Sequence, residues 1–173
     1  MSYKKDIEIA RTQKDQFFKK SHQSPIPHHD RNKFVSLDYY PINENYVFIL
    51  QLERYDNPET IQMETSDGMI RDYFRIGFLK FVLDADEVPI HIYQQADNPD
   101  YYFIPFRDVT SGNETYGAGR YLDIEKEGEK FILDFNKAYS PYCAYNENYS
   151  CPLPPFENHL KVSILAGEKN TTY

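Results

Sequence analysis

Tryptophan is absent from this 173-residue chain, and glycine and cysteine are scarce, with seven and two residues. Two cysteines are too few for the disulfide framework of a small secreted domain, and no apolar run approaches the ~20 residues that span a bilayer as a helix. Basic residues are also in deficit, since the formal net charge is −8, whereas nucleic-acid-binding proteins usually present a basic face. We therefore expect neither a nucleic-acid partner nor a membrane partner.

The N-terminal residues 1–10 are charged and lack the apolar core of a signal peptide. We therefore expect a cytoplasmic protein whose thiols are reduced. The length predicts a single domain over residues 1–173. A domain of this size buries roughly 70% of its unfolded surface, so it needs no metal ion or disulfide to fold.

Aromatic residues are abundant instead: 16 tyrosines and 12 phenylalanines make up 16% of this acidic, tyrosine-rich chain. Both residue types favour strands, because flat rings pack well on a pleated surface. Tyrosine also tolerates half-burial with its hydroxyl in water or on a partner. The composition therefore indicates a β protein whose sheet faces are partly wet.

The pattern of apolar residues predicts one helix followed by strands. Apolar residues at helical spacing predict a helix over residues 3–20, and Pro25 and Pro27 prevent its continuation. Short alternating runs then recur about every ten residues, separated by turn signals that include a turn at 56–58 and a four-residue loop at 84–87. Nine strands are predicted, at 33–40, 46–54, 59–65, 70–83, 88–94, 101–106, 120–124, 130–135 and 159–166. The fold class is mainly β: an antiparallel β-barrel, roll or sandwich over residues 33–166 with one N-terminal helix.

One irregular segment, residues 105–120, contains three of the seven glycines among many hydrogen-bonding groups. Glycine is used where the backbone needs a positive φ or approaches another group closely. One interpretation is a wide hairpin whose charged residues only fix the turn. The other is a pocket rim that binds a polar or anionic ligand, because arginine pairs with carboxylate or phosphate bidentately. The candidate ligand-binding residues of this segment are Arg107, Thr110, Ser111, Glu114, Tyr116 and Arg120.

A second irregular segment, residues 136–158, is 23 residues long and contains four of the eleven prolines. Loops of this length are usually functional or disordered, and its five aromatic rings are too apolar to be left in water. We therefore expect it to pack over the β domain as a lid, with one or two helical turns after Pro141. Its candidate ligand-binding residues are Asn136, Tyr139, Tyr142 and Asn158.

Cys143 and Cys151 allow four interpretations. They are buried apolar cysteines, a disulfide that closes a short loop, a nucleophile with His159 as its base, or metal ligands with His159. The spacing of the two cysteines is not that of a zinc knuckle. His28 and His29 are adjacent in the sequence, so their side chains are expected to point apart rather than share a metal ion. We therefore expect no metal ion and no cofactor.

Long stretches of the chain resemble the family catalogued as domain of unknown function 1684. The resemblance rests on residues 105–123 (PFRDVTSGNETYGAGRYLD) and 133–160 (LDFNKAYSPYCAYNENYSCPLPPFENHL), with support from 14–18, 24–27 and 37–41. It extends over nearly the whole chain. One departure is Asp38, where relatives of the family have glycine, and this difference concerns only the local strand geometry. The resemblance implies bacterial and archaeal relatives, some with a lipoprotein-type signal, but no activity.

Three function classes follow. The first is a binding protein for a small polar or anionic molecule, with its pocket between the 105–120 and 136–158 segments. The second is a small hydrolase or lyase that uses candidate catalytic residues Asp108, Glu114, Cys143 and His159 in the same cleft. The third is a structural or protein-interaction module. Neither composition nor motif indicates an oligomeric state.

Overall fold

The computed structural model describes residues 2–173, and it begins with the predicted helix. Helix α1 spans Tyr3–Lys20 and buries Ile7 and Phe18. Phe18 packs in a cluster with Ile26, Phe34 and Leu37. The Ser24 hydroxyl donates to the Phe18 carbonyl at 2.6 Å, which satisfies one of the free carbonyls at the end of the helix. The helix is therefore attached to the rest of the chain by an aromatic anchor near its C-terminus, by the buried Ile7 and by polar contacts such as Lys14 Nζ with Glu168 at 2.7 Å.

Eight strands follow, and all of their pairings are antiparallel. One sheet has five strands in the order β2-β3-β4-β5-β6, and the other has three in the order β1-β8-β7. The two sheets form a sandwich or roll and are not closed into a barrel. The strands are β1 (Val47–Gln51), β2 (Glu53–Glu64), β3 (Ile70–Leu83), β4 (Asp86–Gln95), β5 (Asn98–Phe106), β6 (Arg120–Asp123), β7 (Glu125–Glu127) and β8 (Lys130–Asp134).

Two predicted strands, 33–40 and 159–166, are not strands in the structure. Their backbone groups bond to loops rather than to a ladder: Tyr40 N–H donates to Gly167 at 2.9 Å, and Ile164 N–H donates to the Asp108 carboxylate at 2.7 Å. Apolar and polar residues alternate in these segments because one side of the chain is buried against loops. This burial gives the same alternation in the sequence as pairing in a sheet does.

The predicted turn at residues 56–58 is also wrong, because β2 runs through it. The pairing of β2 with β3 shifts between Arg54 and Glu59, so Pro58 lies in an irregularity of an edge strand. Proline has no N–H to donate and is tolerated in sheets mainly at edges and bulges. The loop at 84–87 is a two-residue turn, with Asp84 and Ala85 both at positive φ (50° and 68°).

Strands β3 to β6 carry apolar side chains on both faces of the five-stranded sheet, and this arrangement positions the site. On β5, Ile104 and Phe106 point into the core between the two sheets, whereas Phe103 points to the opposite face. On β6, Leu122 and Tyr121 divide in the same way. The second face is covered only in part by α1 and residues 136–158, which leaves a cleft between them.

Candidate functional site

Arg120, predicted to bind a ligand, is fully buried at the start of β6. Its guanidinium donates to the carbonyls of Ala166 at 2.5 Å and Ile164 at 2.9 Å, and it lies 3.4 Å from the Asp108 carboxylate. This arginine fastens the C-terminal segment to residues 107–119 and is inaccessible to a ligand. The prediction for Arg120 is therefore corrected: its charge serves the interior of the protein.

The polar residues around Arg120 belong to the same buried network. Asp108 accepts hydrogen bonds from Thr110 Oγ1 at 2.8 Å and from Ser111 Oγ at 3.2 Å. Thr110 also contacts Thr115 Oγ1 at 2.9 Å. Asp108 and Thr110 are buried, so the segment uses these groups to hold its own turn.

The side-chain amides of Asn136 and Asn158 form hydrogen bonds with backbone groups in the way that a paired peptide group does. The Asn136 carboxamide accepts from the N–H of Asn43 at 2.9 Å and donates to its carbonyl at 2.8 Å. Asn158 makes the same pair of bonds with His91, at 2.8 and 3.0 Å, and also donates to Pro105 at 2.9 Å. Both side chains are buried and saturated, so neither faces a ligand.

Glu114 and Tyr116 lie farther along the same segment. Glu114 accepts a hydrogen bond from the Tyr40 hydroxyl. Burial, reinforced by this carboxylate, raises the pKa of Tyr40, so the phenol remains a donor. The Tyr116 hydroxyl lies 3.7 Å from Cys143 Sγ.

The two irregular segments meet at a cavity of about 330 Å³ lined by Arg107, Ala118, Pro154 and His159, among others. They are tightly packed here, since a Cβ added to Gly119 would lie 2.9 Å from Pro154 Cγ. The His159 Nε2 lies 3.1 Å from the Pro154 carbonyl. Of the predicted site residues, this cavity therefore holds one arginine and one histidine.

A larger cleft, of about 730 Å³, lies between α1, the second face of the five-stranded sheet and residues 139–152. Nine aromatic side chains line it, and two of them, Tyr139 and Tyr142, were predicted as ligand-binding residues. The nine are Phe17, Phe18, Tyr73, Tyr101, Phe103, Tyr121, Tyr139, Tyr142 and Tyr149.

Sequence reasoning missed the strand and helix residues of this cleft. Tyr73, Phe103 and Tyr121 lie on alternate positions of their strands, opposite core residues. Phe17 remains partly exposed beside the buried Phe18. The available signal was the presence of rings at both alternating positions of a strand, which indicates a sheet covered on both faces.

Asp123 is the acidic group of the cleft. Its Oδ1 accepts hydrogen bonds from the Tyr101 and Tyr139 hydroxyls, at 2.5 and 2.9 Å. Burial, with this carboxylate, raises the pKa of both phenols, so both remain protonated donors. Because the two hydroxyls converge on Oδ1, Oδ2 is the acceptor available to a ligand.

Two basic groups line the cleft, and their charges are used differently. Lys14 Nζ lies 2.7 Å from the buried Glu168 carboxylate and over the rings of Phe18 and Tyr139. Burial raises the pKa of Glu168, and Lys14 opposes that shift. Arg71, in contrast, is exposed on β3 and donates to the Ser150 carbonyl at 3.2 Å. Its remaining N–H groups are open to a ligand.

Cys143 and Cys151 are free thiols in one cluster beside the cleft. The Cys143 N–H donates to Cys151 Sγ at 3.4 Å. Cys151 is buried and lines the cleft, whereas Cys143 is half-buried and lines a separate depression. The predicted pairing of either cysteine with His159 is not seen, because His159 lies in the 330 Å³ cavity.

The four candidate catalytic residues are distributed over different places. Asp108 lies in the Arg120 network, Glu114 beside Tyr40, Cys143 beside Cys151, and His159 beside Pro154. Within residues 2–173, no group of three or more His, Cys, Asp or Glu side chains is arranged to hold a metal ion. Across the same residues, no helix has the length and apolar character needed to cross a membrane.

Comparisons with known proteins agree with the resemblance seen in the sequence. A family model described as "Protein of unknown function (DUF1684)" matches residues 32–169. The chain is similar to an uncharacterized protein of Haloarcula marismortui whose structure was determined by solution NMR. The two are 37% identical, the match covers 96% of this chain and 94% of the other, and the TM-score is 0.73. No curated protein matches the chain.

Proposed function

The chain belongs to the DUF1684 family, and from its aromatic cleft we propose that it binds a flat aromatic small molecule that carries an anionic group. The observation that carries this proposal is the 730 Å³ cleft with its nine aromatic side chains. Small-molecule sites are typically concave, of ~300–1,000 Å³, and mostly apolar with a few convergent polar groups. Few polar groups line the cleft, and the charged ones are Arg71, Asp123 and Lys14.

The aromatic walls define the shape of the ligand. Tyr101 and Phe103 are nearly parallel, at 18°, and Tyr121 meets Phe103 edge-on with 4.8 Å between ring centroids. Aromatic pairs prefer offset-stacked or edge-to-face contacts. A planar ring system can add further stacked and edge-to-face contacts to these rings. An aliphatic chain would only bury apolar surface against them.

The charges define the ends of the ligand. Glu168 already balances Lys14, so Arg71 is the cation with free donors, and it favours a carboxylate, sulfonate or phosphate. Asp123 lies on β6, three strands away from β3, in the row that passes through Phe103 and Tyr93 to Arg75. Arg71 is four residues farther along β3, so the two charges are separated by more than the ~14 Å that three strand spacings of ~4.8 Å give. The ligand is therefore elongated, with its anionic end at Arg71 and a hydrogen-bond donor at Asp123.

The direct test is binding of anilinonaphthalene sulfonate, followed by fluorescence and by amide NMR spectra of the full chain. We expect saturable binding, with shifts concentrated on β3, β5, β6 and residues 139–152. Gln13 lines the cleft from α1, so Gln13→Trp fills it and should weaken binding at least about tenfold.

Gln16→Trp is the matched control, because Gln16 is exposed on the same helix outside the cleft. The proposal is overturned if both variants bind as the wild type does, or if the shifts map elsewhere. Native mass spectrometry of the protein purified from its own host then identifies a retained ligand, which we expect to be an aromatic acid.

A further inference from the structure

Cys143 and Cys151 are brought together by a turn that belongs to the wall of the cleft. Cys143 lies in a single 3-10 turn, Tyr142–Ala144, and the chain then reverses so that Cys151 Sγ meets the Cys143 N–H at 3.4 Å. Backbone bonds from Tyr145 and Asn146 to the Tyr142 carbonyl, both at 3.0 Å, hold this reversal. The two thiols are therefore neighbours in the folded protein without any rearrangement of the domain.

The two sulfurs differ in environment. Cys143 is half-buried and faces a surface depression of about 540 Å³, whereas Cys151 is buried against the sheet with Met63 and Tyr121. The Cys151 thiol and the Tyr116 hydroxyl donate toward Cys143 Sγ and lower the pKa of that thiol to about 6. Thiolate character and access are what make a cysteine reactive.

We propose that Cys143 and Cys151 form a thiol–disulfide exchange site for low-molecular-weight disulfides, with Cys143 as the attacking thiol and Cys151 as the resolving thiol. This site is independent of the proposed function of the cleft. The observation that supports this exchange site is the pairing of one accessible thiol with one buried thiol in a single turn.

The exchange proceeds in two balanced steps. The Cys143 thiolate attacks one sulfur of the small disulfide, forms a mixed disulfide and releases one small thiolate, which takes up a proton. Cys151 then loses its proton and attacks Cys143 Sγ, so the protein disulfide forms and the second small thiol leaves. The small disulfide is reduced to two thiols, and the two cysteines are oxidised.

The test uses the full chain with oxidised glutathione and intact-mass spectrometry. The wild type should lose two hydrogens and keep no glutathione, because Cys151 resolves the mixed disulfide. Cys151→Ser should hold one glutathione on Cys143. Cys143→Ser should take up glutathione at least about tenfold more slowly than Cys151→Ser does, because Cys151 is buried.

Two outcomes overturn the proposal. One is a wild type that keeps both thiols free or retains glutathione, and the other is equal reactivity of the two single variants. Circular dichroism shows whether each serine variant is folded. If one is not, alkylation of the wild type by iodoacetamide at pH 7 replaces it, and Cys143 should react at least about tenfold faster than Cys151.

Discussion

The side chain of Asn158 occupies the place of a β-ladder rung at His91. Tyr93 pairs with Phe103 across β4 and β5, so His91 would pair with Pro105 if the ladder continued. Instead the Asn158 carboxamide accepts from the His91 N–H, donates to the His91 carbonyl and donates to the Pro105 carbonyl. One side chain therefore joins two strands where they separate.

Replacement of Asn158 by Asp should destabilise the protein strongly. A carboxylate cannot donate to the His91 and Pro105 carbonyls, and each unsatisfied buried group costs ~1–3 kcal/mol. We expect the free energy of unfolding to fall by about 3 kcal/mol in urea titrations. Asn148→Asp, on an exposed asparagine, is the control and should change it by less than about 0.5 kcal/mol. Equal effects of the two changes would contradict the structural role of Asn158.

Arg120→Met should release the C-terminal segment from the 107–119 loop. The variant leaves Asp108 buried without its cation, and loss of one partner of a buried pair costs ~3–5 kcal/mol. Urea titration should show a loss of this size, and amide hydrogen exchange should accelerate at residues 164–168. Arg107→Met, at the partly exposed neighbouring arginine, should have little effect. If Arg120→Met is as stable as Arg107→Met, the guanidinium does not hold the segment.

Ala85→Gly should stabilise the hairpin between β3 and β4. Ala85 has a φ of 68°, and a left-handed conformation costs a residue with a Cβ roughly 1–2 kcal/mol. Glycine adopts this φ freely, and glycine at the second position suits this type of turn. We expect the unfolding free energy to rise by about 1 kcal/mol. Ala96→Gly, in the turn between β4 and β5, should give no gain, so a similar rise there would contradict the argument.

Arg71→Gln should show how much of the binding comes from the charge of the ligand and how much from its shape. Anilinonaphthalene sulfonate should bind about tenfold more weakly, since a hydrogen bond to a charged group contributes ~1.5–3 kcal/mol. Uncharged phenylnaphthylamine should bind as it does to the wild type. Arg54→Gln, at an exposed arginine of β2 outside the cleft, is the control and should affect neither probe. Equal weakening of both probes by Arg71→Gln would show that Arg71 only supports the cleft wall.

The sequence alone was sufficient for α1, for the β class and for most of the strands. These follow from local periodicity and turn chemistry, which are properties of neighbouring residues. It was not sufficient for residues 33–40 and 159–166, because burial against a loop and pairing in a sheet produce the same alternation.

The roles of the polar residues were decided only by the tertiary structure. Arg120 and Asn158 have the chemistry of ligand-binding groups, but each is surrounded by backbone groups from distant parts of the chain. The cleft likewise depends on how α1 packs, because the helix covers one part of the sheet surface and leaves another part open. Residue type determines what a side chain is able to bond, whereas the partner it meets depends on contacts between residues far apart in the chain.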